Sequence, residues 1–195
     1  MNDFGTFFLI LISISVFYVY LENKAADVTY IKHNKVEFLV RNLDDKEKAA
    51  KLLSDICTRL TKIITYCEEK KDSYSDETKK GIKRMKKNFN RNAVVESSPG
   101  NKYTSYSINK GEKLVFCLRS KEDDSLVDLN TMMFVAIHEL AHLMSESIGH
   151  TKEFWDNMKF LLERGIEINV YTKQDFNKQP KEYCGTQITD TPLNS

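Results

Sequence analysis

The pattern of apolar and polar positions begins with an unbroken apolar run near the N terminus. From Phe4 to Leu21 the chain passes 18 residues without a charge, close to the length of about 20 that crosses a hydrocarbon core. This run predicts a membrane span over residues 4–21. It divides the chain into an N-terminal transmembrane anchor at 1–24 and a folded domain at 25–195.

A cleaved signal peptide is the alternative for this run. Such a peptide begins with positive residues, whereas this chain begins Met1-Asn2-Asp3, and no A-x-A-like site follows directly. Three lysines between residues 24 and 35 follow the run, and an aspartate precedes it. By the positive-inside tendency we expect a single-pass membrane protein whose folded domain lies on the cytosolic side.

The chain then alternates between strand-like and helix-like stretches. Residues 28–40 alternate in polarity and break at His33-Asn34, which predicts an early strand pair. Apolar residues at helical spacing predict a long amphipathic helix over 45–69, and a second helix follows Ser75.

Between Ala93 and Ser120 short β-branched and aromatic runs flank an Asn109-Lys110-Gly111 loop, which predicts a small antiparallel sheet. Asp128 or Asn130 can cap the next helix, which we expect to reach about Ser147. Thr151 begins a further helix, and we expect it to stop at Gly165.

The composition and the net charge exclude few classes of function. A net charge of +1 offers no global argument for a nucleic-acid partner. The charge is uneven, however, because residues 79–91 carry seven lysines and arginines and no acidic residue. This basic run is interpreted as a solvated helix face, a surface for anionic lipid or a nucleic-acid contact.

Four cysteines are scattered without a C-x-x-C pair, which argues against a zinc ribbon or a thioredoxin-like site. We expect them to be reduced. Cys57 and Cys67 lie on the first predicted helix and are expected to be small core residues.

The candidate chemistry lies in the third predicted helix. His138, Glu139 and His142 form a His-Glu-x-x-His motif inside an apolar run. Residues four apart share one helix face, so the two histidines can hold one zinc ion while Glu139 lies beside it.

A catalytic zinc takes three protein ligands and keeps a position for water. Of the two other histidines, His150 follows a helix-breaking Gly149 and can turn back toward the same ion, whereas His33 lies far upstream without a motif. Glu163 or Glu167 on the following helix is the alternative third ligand. In either case Glu139 would act as the catalytic base.

The HELAH sequence, the Gly149-His150 pair and the Phe154-Trp155 pair that follows resemble the WLM metallopeptidases, which are related to the SprT-like group. The resemblance is closest to the WLM-domain proteins of large DNA viruses. It extends over most of the folded region, through residues 103–120, 127–155 and 181–193.

The resemblance implies a compact α+β, zincin-like fold, zinc at His138, His142 and His150, and Glu139 as base. It also implies that an edge strand ahead of the active helix receives a protein or peptide substrate, which here indicates the strand at 112–118. If the chain is viral, the membrane is that of a virion.

Two other functions stay open. One is a catalytically silent, zinc-stabilised structural or interaction protein of a membrane or virion, for which Cys184 is the candidate fourth ligand. The other is a protease that acts on DNA-crosslinked proteins, as the better-studied WLM and SprT-like proteins do. Tyr183 either donates to the developing oxyanion or packs the C-terminal tail.

Overall fold

A computed structural model describes residues 3–24 and 27–194 of the chain. Positions 1, 2, 25, 26 and 195 lie outside the described residues, and within the first helix only the side chains of residues 5–20 are described. The predicted boundary between 1–24 and 25–195 falls at one of these gaps. That division therefore stays a prediction.

Helix α1 spans Asp3–Lys24, and its large apolar side chains between Phe7 and Tyr20 are exposed. A membrane span needs about 20 consecutive apolar residues. Among the residues that the structure describes, no helix is long and apolar enough to cross a membrane. The predicted span at 4–21, the single-pass membrane localisation and the cytosolic or virion-membrane placement are therefore wrong.

The predicted early strand pair is confirmed. Strands β1 (Val28–His33) and β2 (Val36–Arg41) form an antiparallel hairpin. Asn34 and Lys35 at its tip both have positive φ, 48° and 66°, which is the backbone of a tight primed turn.

Two of the predicted helices are also confirmed. Helix α2 spans Lys46–Glu69 and helix α3 spans Asp76–Asn88, with the Ser75 side chain accepting from the Thr78 N–H at the start of α3. One face of α2 is buried at helical spacing, and Cys57 and Cys67 are free and buried on that face. The core therefore lies between α2, the β1–β2 hairpin and the later helices.

The central sheet differs from the predicted antiparallel one. Strands β3 (Val94–Glu96), β4 (Tyr106–Ile108) and β5 (Lys113–Phe116) have the order β3-β5-β4. Strand β5 pairs parallel with β3 and antiparallel with β4, so the sheet is mixed. Polarity patterns indicate which side chains share a face but not which strands are neighbours, and this caused the error.

The same strand order corrects the predicted substrate edge. The strand at 112–118 contains β5, which is paired on both sides. Strand β4 lies at the edge of the sheet instead. A peptide that adds a strand at this edge of the sheet would pair with β4 rather than β5.

Helix α4 (Leu129–Met144) is the central helix and packs against α2, α3 and α5 (Lys152–Glu167). Asp128 caps α4, since its carboxylate accepts the N–H groups of Asn130 and Thr131. Helix α4 ends at Met144, before the predicted Ser147, because Ser145 has extended backbone.

Gly165 is not the predicted helix stop. It lies inside α5, is buried, and a Cβ there would be 3.3 Å from Ile137 Cδ1. The glycine therefore allows α5 to approach α4 closely, and the helix continues to Glu167.

The C-terminal tail folds back as a hairpin of β6 (Lys181–Tyr183) and β7 (Thr186–Ile188). A disulfide between Cys117 and Cys184 joins this hairpin to the end of β5. The expectation of reduced cysteines is wrong for this pair. The two residues are 67 positions apart, and only the tertiary fold brings their Cα atoms to 6.3 Å.

Candidate metal centre

Three histidines come together at the C-terminal half of α4. His138 and His142 lie one turn apart on the helix, and His150 returns from the loop that follows. One ligand nitrogen from each lies within 4.8 Å of the others. The Nε2 atoms of His138 and His150 are 3.0 Å apart. The three imidazoles are thus close enough to share one ion.

The Phe154 ring contacts all three histidine rings of this cluster. The Phe154 side chain is fully buried, and its ring centroid lies 4.8, 4.3 and 4.7 Å from the rings of His138, His142 and His150. Desolvation and the neighbouring imidazoles lower the pKa of His138 to about 3 and that of His142 to about 4. Both rings are therefore neutral near pH 7, which is the form that binds a metal.

Glu139 faces the same cleft and is only 3% exposed. Burial raises the pKa of its carboxyl group to about 8. Its Oε2 atom is buried and has no hydrogen-bond partner among the described residues. Such an atom is costly to bury unless a bound group or a water satisfies it.

The donor set fits zinc. Neutral imidazole nitrogens are preferred zinc ligands, and three protein ligands leave a fourth position. The orphaned Glu139 oxygen in the same cleft adds an acceptor for the water at such a position. No other group of three potential ligands gathers in the described part of the chain.

The loop that carries His150 is fixed by polar contacts to its backbone. Lys110, at the β4–β5 turn, donates to three successive carbonyls, those of Ser145, Glu146 and Ser147, at 2.7, 2.5 and 3.0 Å. A cation at this place also suits the negative end of the α4 dipole. Gly149, with φ of +82°, then turns the chain back toward α4.

Glu153 and Arg84 complete the support of this loop. The Glu153 carboxylate accepts the N–H groups of Glu146 and Ser147, at 2.7 and 2.9 Å, and pairs with Arg84 at 3.2 Å. Arg84 also donates to the Met144 carbonyl at the end of α4. Partial burial acts to raise the pKa of Glu153, but these hydrogen bonds and the Arg84 charge lower it to about 2.

The other predicted ligands lie elsewhere. His33 ends β1 and does not join the cluster. Glu163 and Glu167 also lie outside it and pair with Arg164 on their own helix. Cys184 is bonded to Cys117 and offers no free thiolate.

Strand β4 forms the wall of the cleft opposite the histidines. The cleft has a volume of ≈ 410 Å³, and Ser105, Tyr106 and Ser107 line it together with Glu139 and the three histidines. This volume is within the range of about 300–1,000 Å³ usual for ligand sites. The free edge of β4 and the histidine cluster therefore face one shared space.

Sequence reasoning missed the residues that support this site. Lys110 was interpreted only as part of a turn, and Arg84 only as one charge of the basic run. Ser105 and Glu153 lie within stretches that resemble the WLM proteins, but no local pattern assigns either residue a role. Their roles depend on contacts between elements distant in sequence, and no local pattern encodes such contacts.

Several residues of the basic run at 79–91 form ion pairs within the protein. Lys79 pairs with Asp76, Lys86 with Glu68, and Arg84 with Glu146 and Glu153. Other lysines of α3 point to solvent without an ion pair among the described residues, namely Lys80, Lys83 and Lys87. These contacts support the solvated interpretation for part of the run.

Known proteins resemble this chain in sequence and in fold. An uncharacterized protein of Acanthamoeba polyphaga mimivirus is 32% identical over 187 residues, covering 94% of each chain. An uncharacterized protein of Invertebrate iridescent virus 6 is 32% identical over 106 residues, covering 53% of this chain and 57% of its own length.

Among solved structures, a Wss1 mutant from Saccharomyces cerevisiae has a similar fold, with a TM-score of 0.50 at 20% identity. The match covers 67% of this chain and 88% of the yeast chain. The α+β architecture with small sheets is therefore shared with Wss1. The model of the WLM domain matches residues 78–194, a range that contains β4, the histidine cluster and the C-terminal hairpin. This chain belongs to the WLM domain family.

Proposed function

We propose that the protein is a zinc-dependent metallopeptidase that hydrolyses peptide bonds of protein substrates. The observation that carries the proposal is the convergence of three imidazoles and the Glu139 carboxyl group on one cleft, where the buried Glu139 Oε2 has no hydrogen-bond partner among the described residues. Membership of the WLM family, which the resemblance associates with metallopeptidases, supports the same assignment. His138, His142 and His150 would hold the ion.

Zinc bound there would lower the pKa of a water toward about 7 and polarise the scissile carbonyl. The chain supplies the rest of the chemistry. Glu139 takes a proton from the water as its oxygen bonds to the carbonyl carbon, and returns that proton to the leaving amine nitrogen as the C–N bond breaks. Burial favours the protonated carboxyl, which makes the Glu139 carboxylate a stronger base for the proton of the water.

The substrate is expected to bind as an added strand along β4. Strand β4 is an edge strand, and its residues line the cleft opposite the histidines. Main-chain hydrogen bonds to such an edge hold an extended peptide with little regard to its side chains. A peptide in this place would present a carbonyl to the water beside Glu139.

The proposal is tested by substituting the catalytic base, Glu139, while the three histidine ligands are kept. Glu139→Gln is expected to bind about one zinc per chain, as measured by metal analysis, and to lose peptide hydrolysis by at least about 10²-fold. Unfolded casein and a quenched fluorescent peptide derived from it serve as substrates. Unchanged turnover in Glu139→Gln would exclude this mechanism.

Two other functions can be separated from this one. A zinc-stabilised structural protein needs a closed, four-ligand site, and the disulfide removes Cys184 as the fourth ligand. A protease directed to DNA-crosslinked proteins would use the exposed lysines of α3. This alternative function predicts DNA binding that weakens steeply with salt. The triple variant Lys80→Ala/Lys83→Ala/Lys87→Ala should lose that binding.

A further inference from the structure

The wall of the cleft opposite Glu139 contains a hydroxyl group whose surroundings are unusual. Ser105, just before β4, lines the cleft and is half-buried. Its Oγ accepts the backbone N–H of Cys117 at 3.2 Å and lies 2.5 Å from the Tyr183 hydroxyl oxygen. A serine hydroxyl has two acceptor positions and one proton, so the direction of the second bond decides where that proton points.

Burial decides the direction of that bond. Tyr183 is 3% exposed, and burial raises the pKa of its phenol above the usual value, so the phenol keeps its proton. Ser105 Oγ is a hydrogen-bond partner of this hydroxyl, and the other neighbour, the backbone N–H of Cys117, is a donor that cannot accept the phenol proton. A buried O–H without an acceptor is costly, so Tyr183 donates to Ser105. Ser105 Oγ then accepts from Tyr183 and shares the Cys117 N–H with the Thr104 carbonyl, so its own proton is left to donate to a group in the cleft.

The other donors on this wall either donate to other groups or are not oriented by a hydrogen bond. Lys110 also lines the cleft, but its three donors match three carbonyl groups of the His150 loop. The Tyr106 hydroxyl oxygen accepts from Asn101, which lines a separate cavity, and no second hydrogen bond among the described residues orients the Tyr106 proton. Ser107 has no hydrogen bond that orients its hydroxyl among the described residues. Ser105 is therefore the oriented donor that faces Glu139.

We propose that Ser105 is a catalytic residue whose hydroxyl donates a hydrogen bond to the oxyanion formed on the scissile carbonyl. As the water oxygen bonds to the carbonyl carbon, the π electron pair of the C=O bond moves to oxygen, and Ser105 stabilises that charge without forming a covalent bond. The charge is dispersed again when the C=O bond re-forms and the C–N bond breaks. This inference rests on the proposed peptidase function.

Tyr183 is the positioning residue of this arrangement. It acts through Ser105, and the Cys117–Cys184 disulfide joins the residue next to Tyr183 to the residue whose N–H binds Ser105. Tyr183 is buried and, unlike Ser105 and Glu139, is not among the residues that line the cleft. The two interpretations of Tyr183, oxyanion donor or tail packing, are thereby replaced by an indirect role.

The test compares kcat and KM in the full-length, zinc-loaded protein. Removal of one oxyanion donor typically costs about 10²–10³ in kcat, so Ser105→Ala is expected to lose about 10²-fold in kcat with KM within about twofold. Ser105→Thr keeps the hydroxyl and should recover most of the loss. Tyr183→Phe should lose about tenfold, and Ser105→Ala/Tyr183→Phe no more than Ser105→Ala alone, because Tyr183 acts through Ser105.

A binding measurement provides a readout independent of turnover. A phosphinic peptide, which mimics the tetrahedral oxyanion, should bind Ser105→Ala about 10²-fold more weakly, while zinc content and the affinity for the matching product peptide stay unchanged. If the wild type cleaves peptides and Glu139→Gln does not, but Ser105→Ala keeps its kcat, the role of Ser105 is disproved and the peptidase stands. Additive losses in the double variant would disprove the role given to Tyr183. A zinc-loaded wild type that neither cleaves peptides nor binds the phosphinic peptide overturns both proposals.

Discussion

The helix-borne and the loop-borne histidines reach the same cluster by different physical routes. His138 and His142 lie on a buried helix whose backbone hydrogen bonds are internal, so their spacing follows from helix geometry alone. His150 is exposed and lies on a loop whose carbonyl and N–H groups are bound by Lys110, Arg84 and Glu153. The first pair is preorganised locally, whereas the third ligand depends on side chains from distant parts of the chain.

This difference indicates where the site is vulnerable. Removing a helix ligand destroys half of the preorganised pair, while weakening the loop leaves that pair intact. Damage to the loop supports should therefore lower metal affinity without greatly changing the fold. Zinc competition with a chelator measures the metal affinity of each variant, and thermal unfolding measures its stability. Together they test the difference between the helix ligands and the loop ligand.

The largest loss of zinc affinity is expected when the histidine ligands themselves are substituted. His142→Ala should weaken zinc binding by at least about 10³-fold, and His150→Ala by less, because the remaining His138–His142 pair still chelates. His33→Ala, outside the cluster, is the control and should bind zinc as the wild type does. Equal losses in His142→Ala and His150→Ala would remove the distinction between helix and loop.

The second largest loss of zinc affinity is expected when Glu153 is substituted. Glu153→Ala removes the acceptor for two loop N–H groups and is expected to weaken zinc binding by about 10- to 100-fold, as loss of outer-sphere partners usually does. Glu163→Ala on the same helix is the matched control, since Glu163 is exposed and lies outside the histidine cluster, where it pairs with its neighbour Arg164. Wild-type affinity in Glu153→Ala would show that the loop holds its shape without this carboxylate.

A pH series tests the same contact through stability. The folded-state pKa of Glu153, about 2, is below the ordinary value of 4.5, so its contribution is complete above about pH 4.5 and is lost as the pH falls toward 2. The difference in free energy of unfolding between wild type and Glu153→Gln, measured without metal, should shrink over this window. A difference that stays constant from pH 5 to about pH 2 would contradict the assignment.

The smallest effect is expected at Lys110. Lys110→Met keeps most of the apolar stem but frees three carbonyls that water can partly satisfy, so a loss of about 1–2 kcal/mol in stability and a few-fold loss in zinc affinity are expected. Lys113→Met, on the adjacent strand, is the control. A loss as large as that in Glu153→Ala would reverse the order of importance of the two supports.

The sequence predicted the parts of this protein that local geometry controls. The hairpin at 28–41 and helices α2 to α5 follow from periodicity and turn chemistry, whereas the structure selects Asp128 over Asn130 as the cap of α4. The strand order did not follow, because a polarity pattern contains no information about which strands are neighbours. The membrane span predicted from the apolar run at 4–21 is wrong, because no helix among the described residues is long and apolar enough to cross a membrane.

By itself, the sequence determined a His-Glu-x-x-His helix and a nearby third histidine, since a helix places residues four apart on one face whatever surrounds it. Only the tertiary structure decided that β4 rather than β5 faces the cleft, that Cys184 is bonded to Cys117, and that Tyr183 lies behind Ser105. The reason is physical. A hydrogen bond between residues 78 positions apart depends on how β5 and the C-terminal hairpin pack, and nothing local to either residue encodes that packing.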